Sequence, residues 1–116
     1  MAIVKFRIVG LPGAQADLLR NAEWWANNQS AEKAAEWLDA VQAQLGTIAD
    51  VPESHAISVE SAEFPYPIRD RLVRLGSRPA FRAVFTIRGD TVFVLTVRRW
   101  TQIRLQPGDI DFSDRN

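Results

Sequence analysis

Cysteine is absent from the 116 residues, and there is a single histidine, His55, a single tyrosine, Tyr66, and a single methionine. Without thiols there are no disulfides, no thiolate metal sites and no cysteine nucleophile, a composition compatible with a reducing cytosol. One imidazole cannot complete a zinc site. His55 falls in a stretch that reads as loop, with no catalytic partner near it in sequence, so it is expected to be an ordinary surface residue. No run approaches the roughly 18 apolar residues that a membrane-spanning helix needs. Met1 to Gly10 is apolar but interrupted by Lys5 and Arg7, and has no small-residue cleavage site after an apolar run, so no secretory signal is expected. These absences lead to a cytoplasmic protein with no metal, no cofactor and no membrane partner.

What remains is ordinary for a folded domain: 47% hydrophobic and 24% charged residues. Residues 1–106 read as one domain, with 107–116 a polar tail. The net charge of zero conceals an uneven distribution. Residues 1–68 carry four basic side chains against nine acidic ones. Residues 69–104 carry nine arginines, no lysine, and only Asp70 and Asp90 as acids. Arginine presents a planar fork suited to phosphates and carboxylates, so this segment points to an anionic partner. The plainer explanation is a set of strands kept soluble by arginines on exposed faces.

Periodicity supplies the elements. Val4, Phe6 and Ile8 alternate with Lys5 and Arg7 and predict a strand over 3–9. A break at 10–13 precedes a helix over 14–27, with Leu18, Ala22, Trp25 and Ala26 on one face. Ser30 is a candidate N-cap for a second helix reaching Ala49, with Glu32 in its first turn and Ala34, Leu38, Val41, Leu45 and Ile48 as its stripe. Trp37 widens that stripe. Pro52, Pro65 and Pro67 punctuate a connector over 50–67 in which 57–59 could form a short edge strand. Strands are predicted over 68–75, 80–88 and 91–99, with Gly89-Asp90 the turn of a hairpin. The fold class is therefore α+β: an N-terminal strand, an antiparallel helical hairpin, then a three-stranded antiparallel sheet with the helices on one face.

Loop parity predicts which side chains share a face. An even-length turn pairs Ile87 with Val92, Phe85 with Val94 and Ala83 with Thr96; the turn at 76–79 pairs Leu72 with Ala83. Phe81, Ala83, Phe85, Ile87, Val92 and Val94, joined by Ile68 and Leu72, would then lie under the helices. Arg69, Arg71, Arg82, Arg88 and Arg99 would gather on the opposite, bare face, with Arg74 and Arg98 on the helix side. Like charges on neighbouring strands repel, so such a cluster implies an anion or an acidic partner. Trp25 and Trp37 are placed in the core. Trp100, directly after the last strand, is either an anchor for a partner or a strand-end packing residue.

Three stretches, in this order and spacing, resemble the RelE/ParE superfamily of type II toxin–antitoxin toxins, in particular the ParE-like, plasmid-stabilisation branch. Ala14-Gln15-Ala16-Asp17-Leu18, leading to Trp24 or Trp25, is similar to the first helix of those toxins. Ala34-Ala35-Glu36-Trp37-Leu38 through Leu45 and Pro52 is similar to the second. Arg71-Leu72, Phe81 to Ile87 and Gly89 to Arg98 look like their arginine-bearing strands. The resemblance covers about residues 3–105. It implies a growth-inhibiting toxin neutralised by a cognate antitoxin protein. In the ParE-like branch the target is DNA gyrase, bound through the arginine-rich face; in the RelE-like branch it is the ribosome with mRNA, which the toxin cleaves. A third alternative is a non-toxic module of the same fold that still binds an antitoxin. By position, Arg69, Arg71 and Arg82 match the catalytic basic residues of the nuclease branch, and Arg88, Arg98, Arg99 and Trp100 are candidates for binding target or antitoxin. The match to the nuclease branch then fails. Where many relatives have Arg-His and a further Arg, this chain has Arg98-Arg99 and Gln102, and no Tyr or His follows. Cleavage of RNA needs groups that exchange protons, and arginine's pKa is too high for that. The expectation is a toxin that acts by binding.

Overall fold

The computed structural model describes residues 5–75, 78–99 and 104–110. Strand β1 (Arg7–Gly10) leads into helix α1 (Pro12–Asn28) and helix α2 (Ala31–Gly46), followed by β2 (Arg69–Leu75), β3 (Arg78–Arg88) and β4 (Thr91–Arg99). Each helix begins where local chemistry allows it. Pro12 occupies the first turn of α1, where a missing N–H costs nothing. The Ser30 hydroxyl accepts from the backbone N–H of Lys33 at 3.1 Å and caps α2, as the sequence predicts. The second helix ends earlier than expected, at Gly46, and tightens into a 3-10 turn over Thr47–Ala49.

The strands form one four-stranded sheet in the order β1-β4-β3-β2. β2, β3 and β4 are antiparallel, and β1 adds to β4 in parallel. The hairpin between β3 and β4 turns at Gly89, whose φ of 60° is reached there by no other described residue type. Since Asp90 keeps a negative φ, the turn is of the II′ kind that the Gly-first pair favours.

α1 lies over β4 and α2 over β2, so both helices cover one face, here called the helix face. Trp37, Val41, Leu45 and Ile48 from α2 and the following turn pack there on Phe81, Ala83, Phe85, Val92 and Val94. Leu18, Ala22 and Trp25 of α1 are partly buried against the same core, whereas Ala26 is exposed. Burial of each such large side chain is worth about 1.5–3 kcal/mol.

The other face is not bare. The connector between α2 and β2 folds back across it, joined by the segment 104–110, and a second core forms from Leu11, Phe64, Ile68, Val84, Leu95 and Leu105. The predicted edge strand at 57–59 is a single bridge, Ile57 to Arg69, flanked by Ser58 N–H to Ile68 O at 2.9 Å and Asp70 N–H to Ala56 O at 3.0 Å. That connection holds the connector along the free edge of β2.

Candidate functional site

Two irregularities decide where the arginines point. In β2 the register shifts between Val73 and Arg74, so that Arg71 pairs with Ala83 and Leu72 with Arg82. The side-chain amide of Gln44 serves the shifted backbone: it accepts from Arg74 N–H at 2.8 Å and donates to Arg74 O at 2.7 Å. In β4 the register shifts opposite Val84 and Phe85, leaving Leu95 as an extra residue. Ala83 consequently pairs with Val97, not Thr96, and Arg82 with Arg98.

These shifts overturn the predicted common arginine face, because the parity count assumed unbroken ladders and each extra residue reverses every position beyond it. Arg69, Arg71 and Arg99 belong to the helix face, through their partners Phe85, Ala83 and Phe81. Arg82 and Arg98 lie on the connector face, and so does Arg88, whose guanidinium sits 5.2 Å from the centre of the Tyr66 ring. Ile68, expected under the helices, lies in the core of the connector face instead, and Leu72 shares that side with Arg82. Trp100 lies outside the described residues.

Arg82 is the most constrained of the set. Its side chain is 8% exposed and meets Glu60, itself 2% exposed, in a two-pronged pair of 2.8 Å and 2.6 Å. Asp70 approaches the same guanidinium at 3.3 Å. Glu60 also accepts from Ser58 Oγ at 2.9 Å and from Leu105 N–H at 2.6 Å, which ties the 104–110 segment to the sheet. Burial alone would raise the Glu60 pKa, but the hydrogen bonds from Arg82, Leu105 and Ser58 outweigh it and bring it down to about 2. Burial and the nearby Glu60 charge push Asp70 up, against the pull of Arg82. Every charge in this cluster is answered from within the molecule.

The helix-face end of β2 is different. Arg69 Nη1 donates to two backbone carbonyls, His55 O at 2.7 Å and Glu53 O at 3.1 Å. Arg71 donates through Nε to Thr47 Oγ1 at 3.3 Å and through Nη1 to Leu72 O. Asp70, between them in sequence, points to the opposite face by strand alternation and is drawn to Arg82. Among the described residues no carboxylate pairs with Arg69 or Arg71.

His55 joins these two arginines. The connector carries it back to β2, where its half-buried ring meets the Phe85 ring edge-on, at 5.7 Å and 88°. Burial lowers its pKa, and the positive charges of Arg71 and then Arg69 lower it further. The expectation of an ordinary surface histidine does not describe this position. Sequence reasoning missed it because the contact spans the connector; the one available signal was the suspicion that 57–59 pairs with an edge, which brings residue 55 alongside residue 71.

Among the described residues, no cluster of three or more His, Asp or Glu side chains could hold a metal ion, and no helix is long and apolar enough to cross a membrane. No family model matches the chain, and no curated protein matches it. Among solved structures, a chain of the "Chromosomal ParDE TA system from P. aeruginosa" is similar, with a TM-score of 0.65 and 22% sequence identity. The similarity covers 82% of this chain and 96% of that one. The fold is that of this ParDE-system chain. At this identity the likeness is one of architecture, and it extends over nearly the whole neighbour.

Proposed function

We propose that this chain is the toxin of a toxin–antitoxin pair, held inactive in the cytoplasm by a cognate antitoxin protein and acting on its target, DNA gyrase, by binding. The observation that carries this reading is the architectural likeness to a ParDE chain over almost all of that chain's length. The separation of Arg82 from Arg69 and Arg71 adds to it, since the three positions that resemble a nuclease site do not share a surface. Arg69, Arg71 and Arg99 on the helix face, and Arg88 and Arg98 on the other, are the residues proposed to meet target or antitoxin.

One observation favours a second reading, an mRNA endoribonuclease working on the ribosome. His55 stands beside Arg69 and Arg71, whose charges add to burial in lowering its pKa, and imidazole is a side chain that can take up and give back a proton where arginine does not. Inhibition of supercoiling by purified gyrase, measured beside end-mapping of mRNA from a translation reaction, separates the two. Loss of supercoiling with intact mRNA supports binding to gyrase; new mRNA ends with normal supercoiling support cleavage. Neither effect, with growth unaffected on induction, leaves a non-toxic antitoxin-binding module and overturns the reading.

A further inference from the structure

The helix-face cluster has donors that the fold does not use. The two ring nitrogens of His55 make no hydrogen bond within the described structure. Arg69 engages only its Nη1, and Arg71 only its Nε and Nη1, so each guanidinium keeps its Nη2 donors. The groups that hold the two arginines are carbonyls and a hydroxyl, which orient a guanidinium without neutralising it. Two cations and a titratable imidazole on one patch repel, and a bound anion offsets that repulsion.

We propose that His55, Arg69 and Arg71 form a binding site for a phosphoryl group. A carboxylate is satisfied by one guanidinium fork, whereas three donors from separate groups match the three unesterified oxygens of a phosphate monoester, three of the four oxygens of a free phosphate, and the two unesterified oxygens of a diester with one bond shared. The charged groups acting on His55 are Arg71 and Arg69, both from β2; β3 presents the neutral Phe85 and the turn after α2 presents the neutral Thr47, which orients Arg71. The anion's charge opposes that of the two arginines, so His55 takes up a proton from solvent as the anion binds, and binding weakens as pH rises. The inference goes beyond the toxin reading and needs no bond to be cleaved.

His55 is the only histidine in the sequence, so its imidazole resonances in the full-length protein are unambiguous by NMR. The titration midpoint of His55 is expected to rise in phosphate relative to chloride at equal ionic strength. In Arg71→Gln the midpoint without phosphate is expected to rise, since a repelling charge is gone, while the phosphate-dependent rise shrinks and affinity falls about tenfold, the equivalent of one lost charge-assisted hydrogen bond. Arg69→Gln gives a second variant should Arg71→Gln fail to fold. Inorganic phosphate, a mononucleotide and a single-stranded oligonucleotide are compared as probes: tighter oligonucleotide binding assigns the site to a polynucleotide, and equal affinities assign it to a small phosphate ligand. A His55 midpoint identical in phosphate and chloride, or a phosphate response that survives in both arginine variants, overturns the site. The readout involves neither gyrase nor mRNA, so its failure is distinct from failure of the toxin reading.

Discussion

Arg82 and Glu60 form a parallel pair of hydrogen bonds on the sheet face opposite the helices, Nη2 to Oε2 at 2.6 Å and Nη1 to Oε1 at 2.8 Å. The partners are 22 residues apart, one on β3 and one on the connector, and the same carboxylate anchors Leu105. One ion pair thus fastens three segments that share no continuous secondary structure.

The first prediction follows from its burial. Removing one member of a buried pair leaves an uncompensated charge and costs about 3–5 kcal/mol. Arg82→Ala is therefore expected to lower the midpoint of urea denaturation by the equivalent of several kcal/mol, and Glu60→Ala to do the same. A loss of toxicity in Arg82→Ala would then report unfolding, so the variant is informative only beside a stability measurement. A change below about 1 kcal/mol would show that the pair does not form as described.

Acid titration tests the same cluster. The Glu60 pKa is depressed from an ordinary 4.5 to about 2, so the stability it contributes is fully present above 4.5 and is lost as pH falls through 2. Asp70, whose pKa is raised, acts in the opposite sense: its ionised form is disfavoured in the fold, and protonation on acidification relieves that cost. In denaturation series between pH 5 and 2, Glu60→Gln should flatten the fall in stability. Asp70→Asn should steepen it, because the opposing contribution is gone. Parallel curves for all three proteins would contradict the assignment.

The sequence makes the order of elements legible because each has a strong local signal: the Ser30 cap, the 3.6-residue stripe through Trp37, Val41, Leu45 and Ile48, and the Gly89 turn. The face assignment of β3 and of the first half of β4 follows from the same hairpin and matches the core at Phe81, Ala83, Phe85, Ile87, Val92 and Val94. Beyond the irregularities it does not. The extra residue at Leu95 and the shift at Val73/Arg74 depend on tertiary partners, Asp17 and Gln44, which satisfy the displaced backbone groups from two helices. Nothing within β2 or β4 alone announces them. The partner of Arg82 was invisible for a related reason: Glu60 belongs to a connector whose course over the sheet is set by the packing of Phe64, Ile68 and Leu105, not by a local pattern.

Asp17 offers a direct test of that account. Its Oδ2 accepts from Val97 N–H at 3.0 Å and from Thr96 Oγ1 at 2.7 Å, so the helix supplies the acceptor that the irregular strand lacks. Asp17→Ala leaves a buried backbone donor unsatisfied, at a cost of about 1–3 kcal/mol. Thermal denaturation should show the loss, and amide exchange at Val97 should accelerate more than at Val92. Asp17→Asn keeps an acceptor and is expected to fall between the two. Unchanged exchange at Val97 in Asp17→Ala would show that another group satisfies the strand.

Arg71 separates function from stability where Arg82 cannot. Its contacts are to Thr47 Oγ1 and Leu72 O, with no carboxylate partner, so its removal leaves no buried charge unpaired. Arg71→Ala is expected to cost about 1 kcal/mol or less, within the range of a substitution near the surface. If the helix-face patch meets the target, the variant stays folded, shows a near-native melting curve, and no longer arrests growth when induced without its antitoxin. Arg71→Lys keeps one charge but not the fork, and intermediate arrest is expected from it. Full arrest by a folded Arg71→Ala protein would move the target contact away from β2, toward Arg88 and Arg98 on the connector face or Arg99 at the end of β4.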